Sequence, residues 1–395
     1  MDKPVKILQI VGSMHPGGIE NFVMNLYEHI DRGRFPFDFV VHKQQEGDYT
    51  ERIGELGGQI YLLPRLTRHP IQNLRGIYWL VKENHYDIVI RHTPNALIAP
   101  QLLAARLAGA HTICHAHSET DKEKMLHTVG KALMKIAAER RIACSVNAGK
   151  WMFGKQHYDI VHNAVDISSF QYSKEKEEKI RNEFQLGERH IYGHVGNFVW
   201  SKNHLLMLQI FKEIQKQDPE AVLFFVGQGT MQKEIEEEIQ KLSLQDGVIL
   251  TGVRKDVSVL MSAFNILLFP SVYEGLPLTL IEAQAAGLPC LISDSITRDV
   301  IVTEGLVKPY SLEKSSAEWA AQAVSMVREN NELTRECQRE RIARAGYDID
   351  ALAKWYENYF TQNLDSYRMY VHYLRIFLYD IRSCFRKVHL SGVKI

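Results

Sequence analysis

The chain lacks the features that mark several classes of protein. No run of apolar residues reaches the roughly 18 that a membrane-spanning helix needs. Residues 1–6 lead straight into an apolar strand pattern, where a signal peptide would show a longer apolar segment. Its cysteines show neither the spacing of disulfide pairs nor the spacing of a metal site. We therefore expect buried thiols in a reducing compartment and a cytoplasmic protein. The five cysteines are Cys114, Cys144, Cys290, Cys337 and Cys384.

The sequence also lacks an excess of charge of either sign. Lys and Arg together number 47, Asp and Glu together number 47, and the formal net charge is therefore zero. No overall field draws such a chain to nucleic acid, and we expect no nucleic-acid partner. A length of 395 residues with 45% hydrophobic residues is enough for two domains of ordinary size.

Short apolar runs alternate with amphipathic stretches along the chain. Repeated strand–helix–strand units predict an α/β fold, with mostly parallel sheets covered by helices on both faces. In the first half strands are predicted at Val5–Val11, Phe37–His42, Gln59–Leu63, Asp87–His92, His111–His117 and Arg141–Val146, and helices at Asn21–Ile30, Ile71–Asn84 and Asn95–Ala108. In the second half strands are predicted at Ile191–Gly196, Ala221–Gly227, Val248–Gly252, Ile266–Pro270 and Cys290–Ser293. We predict two tandem Rossmann-like domains over residues 1–164 and 165–347, followed by C-terminal helices over residues 348–395.

The most informative segment is Asn265–Asp294, which combines an apolar strand, a loop, a helix and a second apolar strand. Glu274 follows the first strand, where an open α/β sheet places its ligand crevice. Gly275 is expected to let the backbone bend and approach a ligand, while amides near Leu276 at the helix start bind an anion. Glu282, one turn into the helix, supplies an acceptor for hydroxyl groups. A ligand that carries both phosphate and vicinal hydroxyls is a nucleotide sugar, so this segment predicts a nucleotide-sugar site.

This segment resembles the donor site of glycosyltransferase family 4, a family with the GT-B fold. The resemblance runs from about Val5 to Phe360 and points to the enzymes of capsule and exopolysaccharide synthesis. It implies an N-terminal acceptor domain and a C-terminal donor domain whose parallel sheets face a cleft. It also implies a C-terminal helix that crosses back to the first domain.

A glycine-rich loop follows the first predicted strand. Gly17 and Gly18 precede a helix and can present backbone amides to a diphosphate or a sugar, although an ordinary glycine-rich turn would look the same. The loop matches the Gly-Gly loop of the family, which favours a donor-binding role. We expect Glu20 to cap the helix.

The loop after the first strand of the second domain carries Lys202, predicted to open the next helix and to neutralise a donor diphosphate. The family pattern keeps this lysine but has an arginine where this chain has Asn197. Arg254 is a candidate substitute for that cation, and the backbone near Val253 is where a base edge could be read. An ordinary charged turn at Arg254 remains an alternative.

His115 and His117 lie two residues apart in a predicted strand and therefore share one face. No Cys or carboxylate cluster completes a metal site in this segment, and we predict no metal and no other cofactor. In the family a histidine that ends this strand lies near the transferred sugar. His117 is the preferred match and His115 the alternative.

These residues predict a glycosyltransferase that moves a sugar from a nucleotide diphosphate sugar, expected to be UDP-linked, to a hydroxyl of a glycan or lipid-linked acceptor. Glu274, Lys202 and His117 are the predicted catalytic residues. The resemblance implies retention of the anomeric configuration. A nucleotide-sugar epimerase of the same architecture and a non-catalytic binding module remain alternatives.

Two basic segments could contact an anionic membrane surface on the inner face of the plasma membrane. One is Ser366–Leu390 and the other is a predicted helix within residues 122–141. Ordinary packing with a solvated basic face is the alternative for both. Their basic residues are Lys122, Lys124, Lys131, Lys135, Arg140, Arg141, Arg368, Arg375, Arg382, Arg386 and Lys387.

Overall fold

The computed structural model describes residues 3–15, 17–44, 49–118, 124–329, 335, 339–362 and 364, with the side chains of residues 124–126 and 339 left out. The chain forms two compact units. The first contains Met1–His162 and the chain from Asp350 onward, and the second contains Asn163–Ile349. Each unit is built around one sheet.

The first unit has a seven-stranded sheet in which every pair of neighbouring strands is parallel. Its strand order is β3-β2-β1-β4-β5-β6-β7. The strands are β1 (Ile7–Ile10), β2 (Phe37–Val41), β3 (Ile60–Leu62), β4 (Ile88–Thr93), β5 (His111–Ala116), β6 (Arg140–Ala143) and β7 (Asp159–Ile160). The order places β1, β4 and β5 side by side, so their carboxyl ends meet at one edge of the sheet.

Helices connect these parallel strands, as parallel pairing requires. They are α1 (Gly18–His29), α2 (Thr50–Glu55), α3 (Pro70–Asn84), α4 (Ala99–Leu107), α5 (Lys124–Ala137) and α6 (Val146–Phe153). Ile77 and Val81 of α3 are buried against Leu8 and Val89 of the sheet. The strands are buried along almost their whole length because helices cover them, which explains their nearly continuous apolar sequences.

The second unit repeats this plan with a six-stranded parallel sheet of order β10-β9-β8-β11-β12-β13. Phe224 packs in one core, while its neighbours Leu223 and Phe225 pack in the core on the opposite face. The strands are β8 (Ile191–Val195), β9 (Val222–Val226), β10 (Val248–Gly252), β11 (Ile266–Phe269), β12 (Cys290–Ser293) and β13 (Val307–Tyr310). The helices are α7 (Ile167–Phe170), α8 (Lys174–Glu183), α9 (His204–Gln215), α10 (Gln232–Leu242), α11 (Val257–Ala263), α12 (Leu278–Ala285), α13 (Ser316–Glu329) and α14 (Arg339–Arg344).

The last described helix, α15 (residues 349–362), returns the chain to the first unit. Tyr356 and Phe360 are buried there, and Phe360 lies 5.8 Å from Phe35 and 6.4 Å from Phe37 between ring centroids. The Glu357 carboxylate accepts a hydrogen bond of 2.9 Å from the backbone N–H of Asp31. The predicted α/β fold with a C-terminal helix that crosses back is confirmed.

Most of the predicted element boundaries shift by one or more residues, and three differences between prediction and structure have a clear physical cause. Helix α1 begins at Gly18 and not near Asn21, because the Gly17 carbonyl already accepts a helical hydrogen bond from the Asn21 N–H. Strand β6 ends at Ala143, because the Ser145 side chain caps α6. Strand β13 was not predicted. It contains Pro309, which has no backbone N–H to donate, and it forms the edge of the sheet, where proline is tolerated.

Among the described residues, no helix is long and apolar enough to cross a membrane. The basic segment Ser366–Leu390 lies outside the described residues, as does Lys122, so their predicted membrane contact stays a prediction. Of the second basic segment, the structure describes α5 and the strand that follows it.

Candidate active site

Two loops meet at the carboxyl edge of the second sheet. One follows β8 and contains residues 196–203, and the other follows β11 and contains residues 270–277. The backbone N–H of Val272 donates to the Ser201 carbonyl over 2.8 Å, and the Asn203 side-chain amide donates to the Pro270 carbonyl over 3.2 Å. Strands β8 and β11 are neighbours in the sheet, so this edge is where a ligand crevice is expected.

These loops bring Lys202 and Glu274 into contact. The Lys202 Nζ lies 2.6 Å from Glu274 Oε1, and the two side chains are only 15% and 13% exposed. The contact joins an ammonium to a carboxylate and is therefore an ion pair. The same ammonium lies 4.8 Å from the Phe269 ring centroid, a cation–π distance. The two predicted catalytic groups are therefore held together with little exposure to solvent.

The position of Lys202 differs from the prediction in one respect. It ends a short 3-10 turn (Trp200–Lys202), and α9 begins only at His204. Asn203 lies between them in the left-handed region, with φ of 60°. Lys202 therefore precedes α9 and does not open it.

Gly275 and Leu276 follow Glu274 and lead into α12. Gly275 is exposed, its φ is not positive, and a Cβ added there would have no atom within 4 Å. The backbone bends at Gly275 as expected, but in this conformation the bend does not require a glycine. The other expected reason, close approach of a ligand to the backbone, stays a prediction.

Glu282 lies in the second turn of α12 and is partly exposed. Desolvation raises the pKa of its carboxyl to about 7. Within the described chain no cation lies near enough to pair with it. A carboxyl group of this kind is about half ionised at neutral pH and can accept hydrogen bonds from hydroxyl groups when ionised.

The three weaker donor-site candidates lie at the same edge but differ in availability. Asn197 and Val253 are exposed. Arg254 is bound on both sides, because its guanidinium donates to Glu183 over 2.7 Å and to Asp256 over 2.8 Å. Two carboxylates already balance the charge of Arg254. It is therefore not a free cation that could replace the family arginine, whose position is Asn197 in this chain.

The glycine-rich loop belongs to the first unit. Gly17 has an extended φ of –166° and is the residue before α1, and Gly18 is the first residue of that helix. A Cβ added to Gly17 would lie 2.7 Å from Glu20 Oε2, so the carboxylate folds back over the helix start. Desolvation raises the pKa of the Glu20 carboxyl. A hydrogen bond from its own backbone N–H lowers that pKa but offsets only part of the rise. This position suits the predicted capping role.

The two predicted histidines share one face, with ring centroids 4.0 Å apart. His115 is fully buried, whereas His117 is partly exposed and is the one of the two that a ligand can reach. Desolvation holds the pKa of both below the usual range, to about 3 for His117. Both rings are therefore neutral at physiological pH.

The structure adds two residues that the sequence did not suggest. His92, at the end of β4, lies with its Nδ1 2.9 Å from His117 Nε2, and its Nε2 lies 2.8 Å from the Gln9 Oε1 of β1. One ligand nitrogen from each of His92, His115 and His117 lies within 4.8 Å of the others. Three imidazoles are chemically able to bind zinc. Here, however, two of the three nitrogens already form a hydrogen bond with each other, and the prediction of no metal stays a prediction.

Comparison with known families gives two matches that together span most of the chain. Residues 16–169 match the model described as Glycosyltransferase Family 4, and residues 175–345 match the model described as Glycosyl transferases group 1. The first match contains the glycine-rich loop and the histidines. The second contains Lys202, Glu274 and Glu282.

Among similar proteins is EpsF of Bacillus subtilis, which carries a provisional glycosyltransferase name. It is 33% identical over 361 residues, covering 87% of this chain and 93% of EpsF. An Escherichia coli protein named UDP-Gal:alpha-D-GlcNAc-diphosphoundecaprenol alpha-1,3-galactosyltransferase is 28% identical over 70% of this chain and 76% of its own. Among solved structures, Anabaena HepE in complex with UDP and glucose has a TM-score of 0.72 at 17% identity, covering 90% of this chain and 99% of HepE.

Proposed function

Because the chain belongs to the group 1 and family 4 glycosyltransferases, we propose that it transfers a sugar from a UDP-linked donor to a hydroxyl of a glycan or lipid-linked acceptor in bacterial surface polysaccharide synthesis. The bond between the anomeric carbon and the diphosphate oxygen breaks, and a bond to the acceptor oxygen forms. The acceptor hydroxyl releases its proton, and UDP leaves. Retention of the anomeric configuration is part of the proposal, on the resemblance alone.

The observation that carries the proposal is the ion pair between Lys202 and Glu274 at the start of α12. A bound diphosphate is a stronger partner for the Lys202 ammonium than one carboxylate, so the donor draws the ammonium away from Glu274. The charge on the leaving diphosphate is then stabilised by Lys202 and by the first amides of α12. The freed Glu274 carboxylate is available to the sugar near the reacting carbon.

The other donor contacts follow from the same helix. Glu282 accepts hydrogen bonds from the ribose hydroxyls when it is ionised, and the amides of Gly275 and Leu276 bind phosphate and sugar. Helix dipole and lysine together neutralise the diphosphate without a metal ion. The complexes of HepE with UDP support UDP as the nucleotide, and the name of the E. coli relative supports a lipid-linked acceptor.

A donor screen tests the proposal. The purified protein is incubated with membrane lipid extract and each common nucleotide sugar in turn, and products are read by mass spectrometry. We expect release of UDP together with a lipid product one sugar heavier. Both signals should be lost in Glu274→Ala and kept in Glu220→Ala, a control at a carboxylate of the same unit that is 76% exposed.

Two outcomes contradict the proposal. An isomerised sugar that forms without an acceptor would assign the protein to the epimerases. Tight donor binding without product, over a broad range of glycan and lipid acceptors, would assign it to the non-catalytic binding modules.

A lipid-linked acceptor makes a membrane-bound state part of the proposal. Val129 and Ile136 of α5 are 70% and 56% exposed and lie seven residues apart, on one side of the helix. Lys135, on α5, and Arg140, at the start of β6, are exposed too. Apolar side chains beside basic ones suit the headgroup region of an anionic bilayer.

A further inference from the structure

Three polar side chains form a hydrogen-bonded chain beneath the carboxyl edge of the first sheet. Gln9 of β1 and His92 of β4 are buried, and His117 follows β5 with partial exposure. Gln9 Oε1 lies 2.8 Å from His92 Nε2, and His92 Nδ1 lies 2.9 Å from His117 Nε2. The chain therefore leads from the interior of the sheet to His117, its partly exposed member.

The Gln9 carboxamide determines which ring nitrogens of His92 and His117 carry a proton. The Gln9 carboxamide oxygen faces His92 in this structure, and because such an oxygen only accepts hydrogen bonds, the Nε2 of His92 donates to it. A neutral imidazole carries one proton, so the Nδ1 of His92 is bare and accepts from the Nε2 of His117. His117 is then left with a bare Nδ1. That nitrogen is buried and has no hydrogen-bond partner among the described residues.

The surroundings hold the rings in this state. Phe22 of α1 packs against all three imidazoles, with centroid distances of 6.1 Å to His92, 5.0 Å to His115 and 5.5 Å to His117. Desolvation keeps the pKa of His92 and His117 below the usual range, so both rings stay neutral. The orientation and the proton position of His117 are thus set before any ligand arrives.

We infer that Gln9 and His92 are positioning residues that hold the partly exposed His117 ring in one orientation, as the Nε2–H tautomer, where it contacts the sugar. This inference rests on the proposed function, which makes the ligand a sugar.

The first test reads the tautomer directly and needs no turnover. The protein is labelled with 15N-histidine, and long-range proton–nitrogen correlation spectra are recorded, with His117 assigned by loss of its signals in His117→Gln. We expect a protonated Nε2 and a bare Nδ1 at His117. A protonated Nδ1 would mean that the Gln9 amide donates to His92 and that the whole chain runs in reverse, which overturns the inference.

The second test separates positioning from general stability. Gln9→Met keeps the shape of the side chain but removes the acceptor for His92. We expect a mixture of His117 tautomers in the spectra and a fall in kcat/KM of roughly tenfold, the effect of one lost hydrogen bond. Gln101→Met is the matched control, because Gln101 is equally buried in the same unit but bonds to Arg91 and Asn73. We expect it to leave the His117 tautomer unchanged.

Two further outcomes are decisive. Equal loss of kcat/KM in both methionine variants, with a single unchanged His117 tautomer, would reduce Gln9 to a packing residue. One equivalent of zinc in the purified protein, lost in His92→Gln, would show that the three imidazoles bind a metal and do not form the chain. Absence of transfer with every donor would overturn the proposed function, while the tautomer of His117 would still be read in the free protein.

Discussion

At Gly275 the fold does not require a glycine, whereas a ligand that approaches the backbone closely would require one. The backbone there is not in the left-handed region and an added Cβ would have open space around it. We expect Gly275→Ala to leave the melting temperature unchanged, since such surface changes stay within about 0.5 kcal/mol. If the donor approaches this backbone, the methyl group should raise the donor KM at least roughly tenfold.

The matched control is Gly54→Ala in α2, where a Cβ also has no atom within 4 Å. It should leave the KM unchanged and raise the melting temperature slightly, because Ala stabilises a helix by roughly 0.5–1 kcal/mol relative to Gly. An unaltered KM in Gly275→Ala would show that no ligand lies against this backbone.

Glu282 gives the donor site a dependence on pH. Its pKa of about 7 means that the carboxyl is mostly protonated below neutrality and mostly ionised above it. The ionised form is the acceptor that two ribose hydroxyls need, so the affinity for a UDP-sugar should rise with pH between about 6 and about 8 and then level off. Calorimetric titration at several pH values measures this.

Glu282→Gln is the comparison for that experiment. It keeps one acceptor oxygen but cannot ionise, so its affinity should be lower at high pH and independent of pH over the same range. A variant with the same pH slope as the original protein would assign the slope to another group.

The residues that the sequence revealed and those that it did not differ in a physical way. Glu274 and Lys202 stand in loops after apolar strands, where a charged residue is visible by contrast. Gln9 and His92 lie inside buried strands, where a single polar residue looks like a satisfied core residue. Their meeting depends on the β1-β4-β5 strand order, which local patterns do not encode.

At the scale of elements, apolar periodicity predicted most strands and helices, and the errors came from residues with special roles. Pro309 hid the edge strand β13, and Ser145 ended β6 by capping α6. Helix α5 shows a further limit. Its basic residues were visible in the sequence, but only the structure shows that Val129 and Ile136 are exposed among them.

That exposed face of α5 predicts binding to anionic vesicles. We expect the protein to co-sediment with vesicles that contain phosphatidylglycerol and much less with vesicles of phosphatidylcholine alone, because both apolar burial and lysine charge contribute. Replacing Val129 and Ile136 together by Ser should reduce the bound fraction several-fold. Leu62→Ser, at a 58% exposed leucine on β3, is the control and should bind as before. Equal binding by both variants would exclude α5 as the contact.

At the scale of the whole molecule, alternating strands and helices predicted two tandem α/β halves, and that prediction held because parallel strands need long crossover connections. What the pattern does not reveal is how strongly the first unit depends on the end of the chain. Tyr356 packs against Phe22, and Phe360 packs against Phe35 and Phe37. The first unit is therefore discontinuous in sequence, while the second is continuous.

This discontinuity predicts where a core mutation at the chain end will act. Phe360 is fully buried, and Phe360→Ala should destabilise the first unit by about 3–5 kcal/mol through lost burial and the cavity left behind. Hydrogen exchange read by mass spectrometry should show faster exchange in β1, β2 and α1, although these segments lie at the other end of the sequence. Phe211→Ala, at an equally buried residue of the second unit, should speed exchange in β8, β9 and α9 instead. If Phe360→Ala raised exchange equally in both units, the destabilisation would not be confined to the first unit, which contradicts this prediction.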